Sequence, residues 1–171
     1  MSATSPIVGV TGHIRFNESG TQEFKVAVNE LLSLLEKQYS SCAPSLASGL
    51  AVGADLEVAS LALTRGWRLI AILAGPENEF VLEHTEQSKA LFVKLLESSS
   101  EVIVAAATGT NSPEKYCLVG VKIIDLSDQL IAIWDGNLAS PKQGGAAWVV
   151  NQFLSAKPEN NLNLHQILVT R

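Results

Sequence analysis

Cysteine is scarce in this 171-residue chain: only Cys42 and Cys117 are present, far apart and without a CxxC. That argues against a disulfide scaffold or a thiolate zinc site, and both are expected as buried reduced thiols. Histidine is nearly as rare, and His13, His84 and His165 lack metal-ligand spacing. Charge is thin, at 17% of residues, with a formal net charge of -5. An acidic chain disfavours nucleic acid and anionic membrane as partners, since both attract basic surfaces. The start, MSATSPIVGV, has no basic segment followed by an apolar stretch, so no signal peptide is expected. No apolar run nears the ~20 residues of a membrane span. These absences predict a soluble, cytoplasmic protein with no metal and no resident cofactor.

What is abundant is apolar surface, 47% of residues, enough for the core of a single domain over residues 1–171. Short apolar runs alternate with longer amphipathic ones. Strands are expected at 6–10, 45–48, 67–73, 101–106 and 129–135, with a possible sixth at 165–170. Helices are expected at 22–39, 55–65 and around 84–97, 114–126 and 146–156. In the first of them Phe24, Val28, Leu31, Leu32, Leu35 and Tyr39 share one face at helical spacing. KPENNLN (157–163) reads as a joint between the last helix and the last strand. Strands that are nearly all apolar imply a sheet buried on both faces. The alternation implies a doubly wound α/β fold with a mainly parallel sheet and helices on both faces.

The connections divide into two kinds. Those leaving the strands' carboxyl ends read TGHIRFNESG, GLAVGAD, AGPENEF, ATGTNSPEK and DGNLASPKQGG. Those entering the amino ends read SSCAP, RG, SSS and SDQ. The first set is longer and richer in glycine. Ligands of open parallel sheets bind beyond the carboxyl ends, near the point where strand order reverses. Glycine lets backbone N–H groups approach a ligand, and helix starts favour anions. GLAVGAD is therefore expected to approach a small polar ligand carrying phosphate or ribose.

VGVTGH (8–13), SGLAVGAD (48–55) followed by ALTRGWRLIAIL (62–73), and IAIWDG with GGAA (131–147) occur in that order. Together they resemble the SLOG superfamily of Rossmann-like domains, which includes DNA-processing protein A (Smf) and the Lonely Guy phosphoribohydrolases. The resemblance spans about residues 7–150. It is strongest to a stand-alone branch with a TGHR-like first loop and a WDG strand end. It implies a Rossmann-like sheet in the order 3-2-1-4-5, a nucleotide or nucleotide-derived ligand, and a sensor role in bacterial stress or defence. It also implies a homodimer or higher homo-oligomer pairing through helices. Two departures matter. The first loop reads Thr11-Gly12-His13-Ile14-Arg15, with the arginine two places after the histidine. After Gly144 and Gly145 come Ala146, Ala147, Trp148, Val149 and Val150, without the glutamate of the phosphoribohydrolases.

The expected ligand-binding residues are Thr11, Gly12, His13, Arg15, Gly49, Ala51, Gly53, Asp55, Asp135, Gly136, Lys142, Gly144 and Gly145. Each has a plainer reading. Gly49 and Gly53 suit a tight strand-to-helix turn. Asp55 suits a helix start, where the dipole favours an acid, as well as a ribose hydroxyl. His13 suits a structural hydrogen bond better than acid–base work. Arg15 is the nearest cation for a phosphate or a member of a surface ion pair. Lys142 assists the anion or is simply solvated. Trp134 reads as core, while Asp135 ends an apolar strand at the cleft. Asp128, His84 and His165 read as structural.

Binding of a nucleotide-like molecule is thus the leading function. A nucleotide-processing enzyme is second, lacking its expected glutamate. A DNA-handling domain is third, lacking a basic track. A degenerate site on a fold kept for assembly is fourth. The helix at 114–126 carries Leu118, Val119, Val121, Ile123, Ile124 and Leu126, more apolar surface than one sheet face needs, as an oligomer contact would require.

Overall fold

Six strands pair side by side in the order β4-β3-β2-β1-β5-β6, every neighbouring pair parallel. They are β1 (Ile7–Gly12), β2 (Ser45–Ser48), β3 (Arg68–Leu73), β4 (Glu101–Val104), β5 (Gln129–Trp134) and β6 (Leu164–Leu168). The computed structural model describes residues 5–15, 21–139, 141–156 and 158–170. Between the strands run α1 (Thr21–Gln38), α2 (Ala54–Thr64), α3 (Glu77–Phe80), α4 (Glu86–Glu97), α5 (Glu114–Leu126), α6 (Ala146–Ala156) and α7 (Asn160–Asn163). A 3-10 turn, Val81–Glu83, joins α3 to the loop before α4. The stretch expected as a mere joint holds α7, whose Asn160 is buried and donates to the Phe153 carbonyl at 2.5 Å.

The helices form two layers. α1 packs on α2 and α2 on α4; α5 packs on α6; α2 and α5 each cover β1, β2 and β3. Phe24, Val28, Leu32 and Leu35 of α1 are buried, at the spacing one helix face requires. Arg65, following α2, donates from Nε and Nη2 to the two Glu36 oxygens at 2.8 and 2.6 Å, and Trp67 Nε1 donates to Oε1 at 2.8 Å. The Arg65 bond holds the Glu36 carboxyl below its ordinary range. β1, β2 and β5 are the buried centre of the sheet. Among the described residues, no helix is long and apolar enough to cross a membrane.

The strand order corrects the expected 3-2-1-4-5. The fourth strand lies not beside β1 but outside β3, extended there by Ser100 N–H to the Leu69 carbonyl and Ala105 N–H to the Leu73 carbonyl. The physical reason is burial. β5 is buried at all its positions and needs neighbours on both sides, so it takes the place beside β1. β4 is exposed at Glu101, Val102 and Val104, as an edge strand can be. The chain therefore steps outward from β1 to β4, then returns to β5 on the other side of β1. The switch point lies between β1 and β5, where parallel sheets open a cleft.

Candidate functional site

A cavity of about 830 Å³ opens at the carboxyl edge of this sheet. Loops distant in sequence reach it. The end of β1 brings Thr11, Gly12, His13, Ile14 and Arg15; the loop after β2 brings Gly49, Ala51 and Asp55; the loop before α6 brings Lys142, Gln143, Gly144 and Gly145. Ten of the thirteen expected residues therefore line one space. Gly53, Asp135 and Gly136 do not line it. Residues 16–20 of the first loop lie outside the described residues.

Each local conformation has an identifiable cause. Gly53 has φ +96°, and a Cβ there would meet the Ile14 carbonyl oxygen at 2.4 Å and that of His13 at 2.7 Å. Its bareness clears space for the backbone of the first loop, which the Ala54 N–H bonds through the His13 carbonyl at 3.2 Å. Gly53 therefore shapes the cavity without facing it. Gly12 is equally constrained: a Cβ would lie 2.4 Å from Ala54 Cβ and 3.0 Å from Ile133 Cβ. Leu50 adopts φ +50° although it is not glycine. Its N–H donates to Ser48 Oγ at 3.1 Å, and its carbonyl lies 2.8 Å from His84 Nε2. The His84 ring is buried, stacked on Phe92 at 4.2 Å, and acts as a structural peg beneath the loop.

At the switch point His13 ties the two central strands together. Its N–H donates to the Ile133 carbonyl at 2.9 Å, and its ring Nε2 accepts the Asp135 N–H at 3.0 Å. The ring proton then lies on Nδ1. The 3.4 Å separation of Nε2 from Asp135 Oδ1 becomes an ion pair only on protonation. Asp135 Oδ1 accepts the Asn137 N–H at 3.1 Å and closes the turn holding Gly136. Trp134 is core, with Nε1 donating to Gln166 Oε1 at 3.1 Å.

Against these loops stands a wall made by α5 and the residues just before it. Ser112, Pro113, Tyr116, Val119, Gly120 and Ile123 line the cavity, with Phe80 and Val149 adding apolar surface. Sequence reading did not place this wall in the site. Its signal was the apolar surplus of the 114–126 helix, of which Val119 and Ile123 are buried toward the cavity while Leu118 and Val121 stay exposed. Tyr116 OH and Lys115 Nζ both donate to Glu83, clamping the start of α5 to the 3-10 turn. Burial and the Glu83 carboxylate push the Tyr116 phenol up. Gly144, at φ +74°, fits against this wall, since a Cβ would lie 2.6 Å from Tyr116 Cβ.

No family model and no curated protein matches the chain. Among solved structures it is similar to the molybdenum cofactor carrier protein of Chlamydomonas reinhardtii, at 13% identity over 97% of this chain and 91% of that one, with a TM-score of 0.42. It is similar to DNA processing protein A of Streptococcus pneumoniae, at 17% identity over 96% of this chain and 59% of that one, with a TM-score of 0.39. For DNA processing protein A of Helicobacter pylori the values are 15%, 96%, 76% and 0.37. Likeness at this level carries nothing about ligand or activity.

The electrostatics of the cavity are lopsided. Arg15 and Lys142 are exposed at its rim. α6 starts beside them at Ala146, behind a Gly145 N–H that is already bonded to the Lys142 carbonyl at 2.9 Å. First-turn N–H groups of a helix have no intrahelical partner and favour an anion. Among the described residues, Asp55, in the first turn of α2, is the one acid in the cavity lining. Its Oδ1 is buried and has no hydrogen-bond partner. Burial pushes the carboxyl up to about 7, and a backbone bond from Ala51 offsets only part of this. Among the described residues, no cluster of three His, Cys, Asp or Glu is suited to a metal. Cys42 and Cys117 are free thiols, partly rather than fully buried.

Proposed function

We propose that the protein binds a nucleotide or nucleotide-derived small molecule in this cavity, as a SLOG-type Rossmann-like domain acting as a sensor. The observation that carries the reading is the mixed lining of the cavity. It offers the start of α6, the bare Gly144–Gly145 backbone and the cations Arg15 and Lys142. It also offers the apolar surface of Val119, Ile123, Phe80 and Val149. A ligand with an anionic group and a flat apolar body suits both kinds of surface at once. A volume of about 830 Å³ lies in the ~300–1,000 Å³ range of small-molecule sites. Thr11 and Gly12 line the cavity from the end of β1, at the switch point.

Thermal unfolding with nucleoside mono- and diphosphates, against orthophosphate, tests this. A ligand at about 100 times its Kd stabilises by ~2.7 kcal/mol, about 5–10 °C for a chain of this size. No shift with any nucleotide at millimolar concentration contradicts the reading.

One observation favours a second reading, nucleotide-processing catalysis. A cleft carboxyl pushed up to about 7 is suited to proton transfer near neutral pH. Incubation with nucleoside monophosphates and assay for released base separates the two: binding without turnover supports the first, and base release supports the second.

A further inference from the structure

Asp55 is not explained by an anion site. A carboxylate beside a phosphate is repulsive, yet this acid lines the same cavity. It carries a buried, unpartnered Oδ1 and no cation bonds it among the described residues. Such a group opposes folding, and residues that break the packing rules concentrate where they serve function. Its position is specific. A Cβ on Gly49 would lie 3.1 Å from Asp55 Oδ2 and 3.1 Å from Val119 Cγ1. The carboxyl therefore sits where the loop after β2 meets the apolar wall of α5. A sugar there would press its hydroxyls against aliphatic carbon, whereas a flat ring would stack on that wall and present only an edge.

We propose, resting on the ligand reading above, that the Asp55 carboxyl anchors the ligand's ring by accepting hydrogen bonds from adjacent N–H donors on the edge of a guanine-type heterocycle. Such an edge places a ring N–H beside an amino N–H, matching the two oxygens of a carboxylate. Rotation of the side chain brings the now-buried Oδ1 beside Oδ2 at the cavity, so that both oxygens face the ring. Only the ionised carboxylate accepts both bonds. A neutral Asp55 must give its proton to solvent as the ring binds, so affinity rises with pH until the free carboxyl is itself ionised. An adenine-type edge, with one donor and one acceptor, matches the protonated acid and gives the opposite slope. Among the described residues, the other titratable or charged groups around the cavity are His13 and Arg15 after β1, Tyr116 of α5 and Lys142 before α6. His84 lies beneath the loop, on the Leu50 carbonyl. Among the described residues no side chain bonds the Asp55 carboxyl, so replacing Asp55 isolates its contribution.

The test is calorimetric titration of the whole chain and of Asp55→Asn with GMP, AMP, 2′-deoxy-GMP and ribose 5-phosphate between about pH 5.5 and 8.5. Ribose 5-phosphate shares the phosphate's own titration near pH ~6, so any further slope belongs to the ring. The parent is expected to bind GMP at least about tenfold more tightly than AMP at the upper pH, with that excess lost toward the lower pH. Asp55→Asn is expected to abolish both the preference and the excess slope while retaining ribose 5-phosphate. If Asp55→Asn binds GMP within about twofold of the parent, if the slope has the opposite sign, or if 2′-deoxy-GMP loses as much as the variant does, the inference is overturned while the ligand reading stands. If no probe binds, ribose 5-phosphate included, both are overturned.

Discussion

Replacing Asp55 by asparagine should make this protein more stable, and by an amount that depends on pH. In the unfolded chain the carboxyl titrates at its ordinary 3.8; in the folded chain burial pushes it up to about 7. Between these values the native state holds a proton that the unfolded state has released. Stability therefore falls as pH rises through this window and levels off above it. At ~1.4 kcal/mol per pH unit, the full loss is about 4 kcal/mol. Asparagine has the same shape and no charge, so Asp55→Asn escapes the loss. At about pH 8 the variant should exceed the parent by roughly 3–4 kcal/mol, on the order of 8–15 °C in Tm, and near pH 4 the gap should close. The assay is urea unfolding at several pH values, followed by the fluorescence of the buried Trp67 and Trp134. The half-buried His165, whose pKa burial lowers, and Glu36, whose pKa Arg65 lowers, titrate equally in both proteins and cancel in the difference. A variant no more stable than the parent at about pH 8 would refute the claim that burial of this carboxyl outweighs its one backbone bond from Ala51.

Other expected outcomes follow the same geometry. Gly53→Ala should cost about 2–5 kcal/mol in thermal or urea unfolding, combining an unfavourable φ with backbone clashes at 2.4 and 2.7 Å; a loss under about 1 kcal/mol would show that the loop yields. Gly145 has no positive φ, and the nearest atoms to a Cβ there would belong to Lys142, its carbonyl oxygen at 3.1 Å and its Cβ at 3.7 Å. Gly145→Val should therefore fold with a small loss in Tm and weaken nucleotide binding by at least about tenfold, as titration would show. The Arg15→Ala, Lys142→Ala double variant should weaken phosphate-bearing ligands and flatten the salt dependence of binding, read from titrations at low and high ionic strength. Leu118 and Val121 of α5 are 39% and 44% exposed, and Val102 and Val104 of β4 48% and 50%. A homodimer through the exposed face of α5 is the expected state in light scattering, and Val121→Glu should shift it toward monomer.

The alternation of strand and helix was legible because each strand is a short apolar run and helices such as α1 show an apolar face at helical spacing. Strand order was not, because EVIVAA and QLIAIWD are nearly equal in apolarity. Their burial differs only through neighbours set by the tertiary fold. The glycines of GLAVGAD marked a close approach, but not to what. For Gly53 the partner is the carbonyl backbone of residues 13 and 14, which no local pattern encodes. Asp55 was visible as a helix-start acid; its burial depends on the tertiary fold, which brings the loop after β2 against α5. The apolar surplus of α5 was visible too, and the fold divides it between the cavity wall and the outer surface.

Crystals grown with GMP test the central claim most directly. The account predicts electron density for a phosphate at the start of α6, within hydrogen-bond reach of the Ala146 and Ala147 N–H groups, and for the base against Asp55 and the α5 wall. Density for the nucleotide elsewhere on the protein, with this cavity left to solvent, would contradict it.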